Sequence, residues 1–264
     1  MKTLLEKILS LVRKSLKRIR TIIIRATGKL VGIPRLRYYC PACKQRVSSW
    51  LPHYRNIGHG QKKLEPKPRR CPNCLSFERT RHFALYLAQN SILESRPRML
   101  HFAPERGLEP SLRSKLKERY VTTDLFMPEV DRKEDITRMT FDDNSFDFIY
   151  CSNVLEHIED DAAAISELFR VLAPGGCAII QVPIKGKTTY EDLTITDPHE
   201  RYKHFGQNDH LRLYGEDIED RLASAGFEVT PFYMLDVLQL EDSEIQRMNL
   251  GRRELIHKCI KPKG

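Results

Sequence analysis

No apolar run in this 264-residue chain approaches the ~18–20 residues that cross a bilayer, so a transmembrane helix is not expected. A secretory signal, with its uninterrupted apolar stretch and small-residue cleavage site, is not recognisable either. The chain is therefore expected in the cytoplasm, where its seven cysteines stay reduced rather than forming disulfides. Low-complexity segments are missing, and the only repeat is a pair of cysteine knuckles. Acid is scarce at the front. Residues 1–30 carry nine Lys+Arg against one acid and residues 31–81 twelve against two, whereas residues 82–264 carry 23 against 32. The net charge of +9 is thus a basic front joined to an acidic body. A body short of positive charge argues against a polynucleotide lying over its active site. The basic front suits anionic lipid head groups or RNA phosphate, and charge alone does not separate the two.

The first segment, residues 1–31, reads as a basic amphipathic helix. Leu4, Leu5, Ile8, Leu9, Leu11, Val12, Leu16, Ile19, Ile22 and Ile23 fall on one half of a helical wheel, and eight Lys or Arg fall on the other. Such a helix fits one lying on an anionic membrane surface, here the inner surface of the membrane. The competing readings are a helix packed on protein and, in a eukaryotic host, an Arg-rich targeting segment.

Residues 38–76 contain Cys40-Pro-Ala-Cys43 and Cys71-Pro-Asn-Cys74. Two residues between thiolates aim both sulfurs at one ion, and two such turns complete a four-sulfur zinc ribbon. The site has no open position, so the zinc is expected to be structural. The long intervening segment, with a Pro- and Lys-rich insert at Lys62 to Arg70, is tolerated because closure entropy grows slowly with length. His53 and His59 lie in it as competing ligands. Cys151, Cys177 and Cys259 sit in apolar stretches and read as core thiols. Residues 77–95 predict a connecting helix.

The body, residues 98–264, carries its clearest pattern between Phe141 and Pro183. An apolar strand at Phe146 to Cys151 is followed by Asp160-Asp161, which suit a helix N-terminus. Ile165, Leu168, Phe169 and Leu172 then recur at helical spacing, and Pro174-Gly175-Gly176 stops the helix before a second apolar strand. These are the parts of a βαβ crossover in a parallel sheet. Arg98 to Ala103 and Tyr120 to Thr123 read as earlier strands.

From about Arg98 to Lys261 this order of motifs resembles the class I S-adenosylmethionine-dependent methyltransferases, within them the type 11 group. The CPNCLSFERTRHFALYL run resembles the segment preceding the catalytic domain in zinc-ribbon members. The resemblance implies an α/β, Rossmann-like seven-stranded sheet carrying a small zinc ribbon and the basic helix, and finishing with a reversed hairpin at Gly226 to Met234 and Glu254 to Lys261. Laid on the family's glycine-rich cofactor loop, His101 takes the acidic place, Ala103 and Glu105 take two glycine places, and Gly107 alone is retained. Asp124 lies 21 residues past Ala103, where a carboxylate accepts from ribose hydroxyls. Asp135 falls at the family's adenine side. Asn153 stands at the carboxyl edge of the sheet, where a strand-end cap is an equal reading for it and for His157.

Lys185 to Gly215 occupies the position that covers the acceptor pocket in this family. Displacement at a sulfonium methyl asks for alignment and exclusion of water, and a hydroxyl acceptor asks for a base. His210 is the first candidate and His204 the second. A divalent metal held by the histidines and aspartates of this segment, or a purely structural loop, are the alternatives. The expected reaction is methyl transfer to a small-molecule, glycan or lipid-linked acceptor, on oxygen. An RNA methyltransferase docking through the ribbon, and a non-catalytic adaptor with a degenerate cofactor loop, are the competing readings.

Overall fold

The computed structural model describes residues 37–251 and 253–263; the basic helix expected at residues 1–31 lies outside them. Two small hairpins come first. β1 (Tyr38–Cys40) pairs antiparallel with β2 (Gln45–Val47), and β3 (Tyr54–Gly58) with β4 (Gln61–Leu64). Helix α1 (Glu78–Gln89) leads into the sheet strand β5 (Met99–Phe102), α2 (Glu109–Leu116) and β6 (Tyr120–Thr123). Then come β7 (Phe146–Ser152), α3 (Asp161–Val171) and β8 (Leu172–Gln181). The segment after β8 holds β9 (Tyr190–Glu191), α4 (Pro198–Phe205) and β10 (Arg212–Leu213). The chain closes with α5 (Ile218–Ser224), β11 (Glu228–Tyr233), α6 (Met234–Leu238), α7 (Asp242–Met248) and β12 (Leu255–Ile260).

Six strands form the main sheet in the order β11-β12-β8-β7-β5-β6. β6, β5, β7 and β8 run parallel, while β12 is reversed and pairs antiparallel with both β8 and β11, so β11 runs with the parallel strands. The strand-helix alternation dictates this, because parallel neighbours need a crossover and the helices must lie on the sheet faces. The expected sheet had seven strands. Beyond β6 the described residues hold only a single parallel bridge, Thr123 to Arg132. The Asp131 carboxylate explains why: it accepts from both the backbone N–H and the hydroxyl of Thr122, satisfying the donor that an edge strand would have used.

Both sheet faces are buried, and side chains alternate between them. Leu100, Phe102, Ile149, Cys151, Ala178 and Ile180 face a core shared with Ile165 and Leu168 of α3 and Ile218 and Leu222 of α5. Met99, Phe148, Tyr150 and Ile179 face a second core shared with Phe83 of α1, Leu112 of α2 and Met234 of α6. There the Phe83 and Tyr150 rings stack with centroids 3.6 Å apart. The Pro174-Gly175-Gly176 signal does not end the helix before the strand; it lies within β8, where the β7–β8 register shifts. Helix α3 is capped as its sequence suggests, with the Asp160 carboxylate accepting from the Ala163 N–H.

The Lys-rich insert is not a loose loop. It contributes β4 to the second hairpin, which docks on α4. Arg55 donates to the Gly206 carbonyl at 2.8 Å, and the His199 ring nitrogen Nδ1 lies 3.0 Å from the Ile57 carbonyl. The buried Arg81 guanidinium ties the first hairpin's surroundings to the body. It donates to the carbonyls of Arg69, Ser76 and Asn249 and lies over the Trp50 ring at 4.3 Å.

Candidate functional site

The four knuckle cysteines converge. One sulfur from each of Cys40, Cys43, Cys71 and Cys74 lies within 4.8 Å of the others. Cys40 and Cys74 are 3.7 Å apart, and Cys43 and Cys71 3.8 Å. A tetrahedron with metal–sulfur bonds of ~2.3 Å has edges of about 3.8 Å, so the sulfurs already stand at zinc spacing. They form no disulfide. Burial, then the neighbouring Cys40, pushes the Cys43 thiol up to about 12. His53 and His59 are not part of this cluster; His59 lies 3.0 Å from the Asp197 carboxylate.

At the carboxyl ends of β5, β6 and β7 lies a pocket of about 440 Å³. Ala103, Asp124, Asp135 and Asn153 line it, together with Phe102, Ile136, Val154 and Ile158. Ala103 has φ 46 and Asn153 φ 57, so two of the three strand ends turn sharply through the left-handed region. Ala103 keeps the wall low where a larger side chain would fill the cradle. One oxygen of Asp124 accepts from the N–H groups of Phe126 and Met127, which orients the carboxylate at the mouth. Nearby, the buried Thr123 hydroxyl has no partner among the described residues. Asp135 is held ionised, its pKa lowered first by the Thr137 hydroxyl and then by the Thr137 N–H. A slot with apolar walls, lined also by Asp124, Glu134, Asp135 and Asp209, fits an adenosine-type group.

Three residues placed in this pocket by the sequence lie elsewhere. His101 is fully buried, with one ring nitrogen 2.7 Å from the Tyr120 hydroxyl and the other 2.8 Å from Glu105. Its side chain alternates onto the α1–α2 face of β5, and Glu105 is drawn there with it. Gly107 backs onto the cysteine knuckles: a Cβ built on it would lie 3.1 Å from the Cys74 sulfur and 3.2 Å from the Ala42 Cβ. The glycine retained from the loop therefore serves the ribbon's close approach. Sequence reading missed Phe126, 86% exposed at the pocket mouth, which no periodicity marks.

A second cavity, of about 580 Å³, lies between the hairpin β3–β4 and the segment after β8. Asn153 and His157 line both cavities, so the two spaces meet there. His210 and His204 both line the second one. His210 is buried, and its Nδ1 has no hydrogen-bond partner among the described residues. Burial, then the charge of His157, lowers its pKa to about 4, so it is neutral at physiological pH. Beside it stands Glu156, a buried carboxyl that sequence reading did not single out. The Asn153 amide donates to one of its oxygens and the other is unpartnered. Glu156, His157 and His210 lie within 4.8 Å of one another, close enough to share a ligand or a metal ion. Asp209 turns away from His210, taking an N–H from Gln207 and standing 3.8 Å from His157. His204 is exposed and engaged with the Tyr190 hydroxyl at 2.8 Å. The histidines and aspartates of Lys185 to Gly215 do not gather round one point: His199 joins the ribbon, and Asp197 caps α4.

The cover over these cavities is held by buried charge. Arg212 donates to Glu191 and to the carbonyls of Leu155, Ile158 and Glu159, while the Tyr214 hydroxyl donates to Asp161.

Residues 81–180 match the family model described as a methyltransferase domain. A Mycolicibacterium smegmatis protein named a probable S-adenosylmethionine-dependent methyltransferase is 31% identical over 106 residues, 39% of this chain. The match spans 37% of that relative's length. The Burkholderia thailandensis 1,6-didemethyltoxoflavin-N1-methyltransferase, solved with S-adenosylhomocysteine, is 12% identical at a TM-score of 0.45, covering 80% of this chain and 99% of that one. A Haemonchus contortus phosphoethanolamine N-methyltransferase, also with S-adenosylhomocysteine, is 16% identical at 0.43, covering 66% and 53%. Among the described residues no helix is long and apolar enough to cross a membrane.

Proposed function

We propose that the protein transfers a methyl group from S-adenosylmethionine to an oxygen of a small-molecule, glycan or lipid-linked acceptor. The observation that carries this is the pocket where β5, β6 and β7 end, edged by Asp124 and Asp135 within the segment that matches a methyltransferase domain. Bound S-adenosylmethionine supplies an electrophilic methyl on a sulfonium. Asp124 would offer lone pairs to its ribose hydroxyls, and Ile136 and Ile158 would give its adenine an apolar surface. Asn153 fixes the junction with the acceptor cavity. The acceptor hydroxyl is placed between the unpartnered Glu156 oxygen and His210 Nδ1. Burial keeps His210 neutral, which leaves Nδ1 free to take the proton, and the Glu156 oxygen beside it can accept a hydrogen bond from the imidazolium that forms. The cover from β9 to β10 excludes water.

The four cysteines hold a structural zinc that shapes the ribbon rather than reacting. Residues 1–31 bring the protein to an anionic membrane surface, which agrees with a lipid-linked acceptor.

Calorimetric titration of the zinc-loaded chain with S-adenosylmethionine tests the reading. Binding in the micromolar range, weakened about tenfold or more by Asp124→Ala, is the expected result. A folded protein that does not bind the cofactor overturns it and leaves the adaptor reading.

A further inference from the structure

The second cavity has a chemical bias that methyl transfer by itself does not require. Its walls bring together Arg55, Arg69 and Arg79 from the ribbon side and Lys185 and Lys203 from the cover, against one lining carboxyl, Glu156. Three of these cations are already matched. Arg55 pairs with Glu65 at 2.8 Å, Arg69 with Glu78 at 2.9 Å, and Lys203 with Glu200 at 2.6 Å. Among the described residues Arg79 and Lys185 have no salt-bridge partner. The Arg79 Nε–H is also buried without an acceptor, as is His53 Nδ1 on the same wall. Burial raises the Glu156 pKa, which limits how far that carboxyl offsets the cations. A buried donor left without an acceptor is costly unless a ligand completes it.

We propose that the acceptor is an anion of the phosphate class, whose oxygens lie against Arg79 and Lys185 while its hydroxyl reaches Glu156 and His210 beside the junction at Asn153 and His157. A tetrahedral oxyanion suits donors converging from both walls, and Arg79 supplies planar, charge-assisted hydrogen bonds. The ribbon, through His53, Arg55 and Arg69, then lines the acceptor site beside Arg79 of α1 and is not merely a stabilising appendage. The enclosed volume, closed by β3–β4 docked on α4, favours a phosphate ester or head group over a nucleic-acid strand. This assignment rests on the methyl-transfer reading.

The test titrates the full zinc-loaded chain, with and without S-adenosylhomocysteine, at fixed ionic strength. The probes are glycerol 3-phosphate and the soluble short-chain lipid dihexanoyl phosphatidic acid. Binding of either probe is expected, with Arg79→Gln and the exposed Lys185→Gln each weakening it about tenfold. Affinity for S-adenosylhomocysteine should stay within about twofold, because neither residue lines the cofactor pocket. Tighter binding of the lipid marks a lipid-linked acceptor, and equal binding marks the phosphate itself. If neither probe binds, or if both variants bind as the parent does, the anion site is overturned. If the probes bind but S-adenosylhomocysteine does not, the methyl-transfer reading falls and the acceptor assignment falls with it, while the anion site stands.

Discussion

The ribbon and the sheet are held together by different forces. In β5 all four residues are buried, and β7 and β8 continue the same two cores. In β4 all four residues are exposed, and in β3 only Gly58 is buried. The body draws its stability from apolar burial. The ribbon has too little apolar surface for that and depends on four sulfurs and on docking through Arg81, Arg55 and His199. The region with the weaker core nevertheless lines the second cavity with His53, Arg55 and Arg69.

If the four cysteines hold the proposed zinc, the largest effect should come from removing it. Structural zinc sites of this kind contribute on the order of 10 kcal/mol of apparent binding energy. Chelation, or Cys71→Ser, should abolish hydrogen-exchange protection over 38–76 while β5, β7 and β8 stay protected. Uniform loss of protection would show that the two regions are one cooperative unit.

An acid titration should sharpen the contrast with a smaller effect. Burial lowers the pKa of His82, His210 and His257 to about 4 in each case. Unfolding restores the ordinary value of about 6.5, so the unfolded chain binds more protons between these limits. Stability is therefore complete above about pH 6.5 and declines as pH falls toward 4, by up to about 1.4 kcal/mol per pH unit for each histidine. Melting temperatures across this window should show that decline, and His257→Gln should flatten it by about a third. His82 lies on α1 beside the ribbon junction, whereas His257 lies in β12. Chelation should remove the His82 share and leave that of His257. An unchanged slope after chelation would mean that α1 keeps its burial without the ribbon.

The body was legible because its signals are local. Two apolar strands around an amphipathic helix between Phe146 and Gln181 leave one arrangement for a parallel sheet, and the strand β6 ending at Asp124 follows from its position. The knuckles were legible because two residues between cysteines constrain both sulfurs. The acceptor cavity was not, since Arg55, Arg79 and Glu156 are brought together from separate elements. No periodicity shows that a hairpin will dock on α4, or that Glu156 will be buried. The loop after β5 misled for another reason. Its glycine fits either a cofactor cradle or a close approach of other chain, and only the fold distinguishes them.

Gly107→Ala tests that distinction with the smallest expected effect. The added methyl meets the Cys74 sulfur and the Cβ atoms of Ala42 and Ser76 at 3.1–3.2 Å. None of the three is the far end of a flexible side chain, and Cys74 is anchored within the sulfur cluster, so the strain is not easily relieved. Overpacking of this size costs roughly 1–3 kcal/mol, partly offset by the lower chain entropy of the unfolded alanine variant. The net loss should be about 1 kcal/mol, read as a melting temperature a few degrees lower and a faster release of zinc to a chelator. Affinity for S-adenosylmethionine should change by less than about twofold, since Gly107 does not line the cofactor pocket. A large loss of cofactor affinity with unchanged zinc release would return Gly107 to the cofactor loop and separate the ribbon from the turn it packs against.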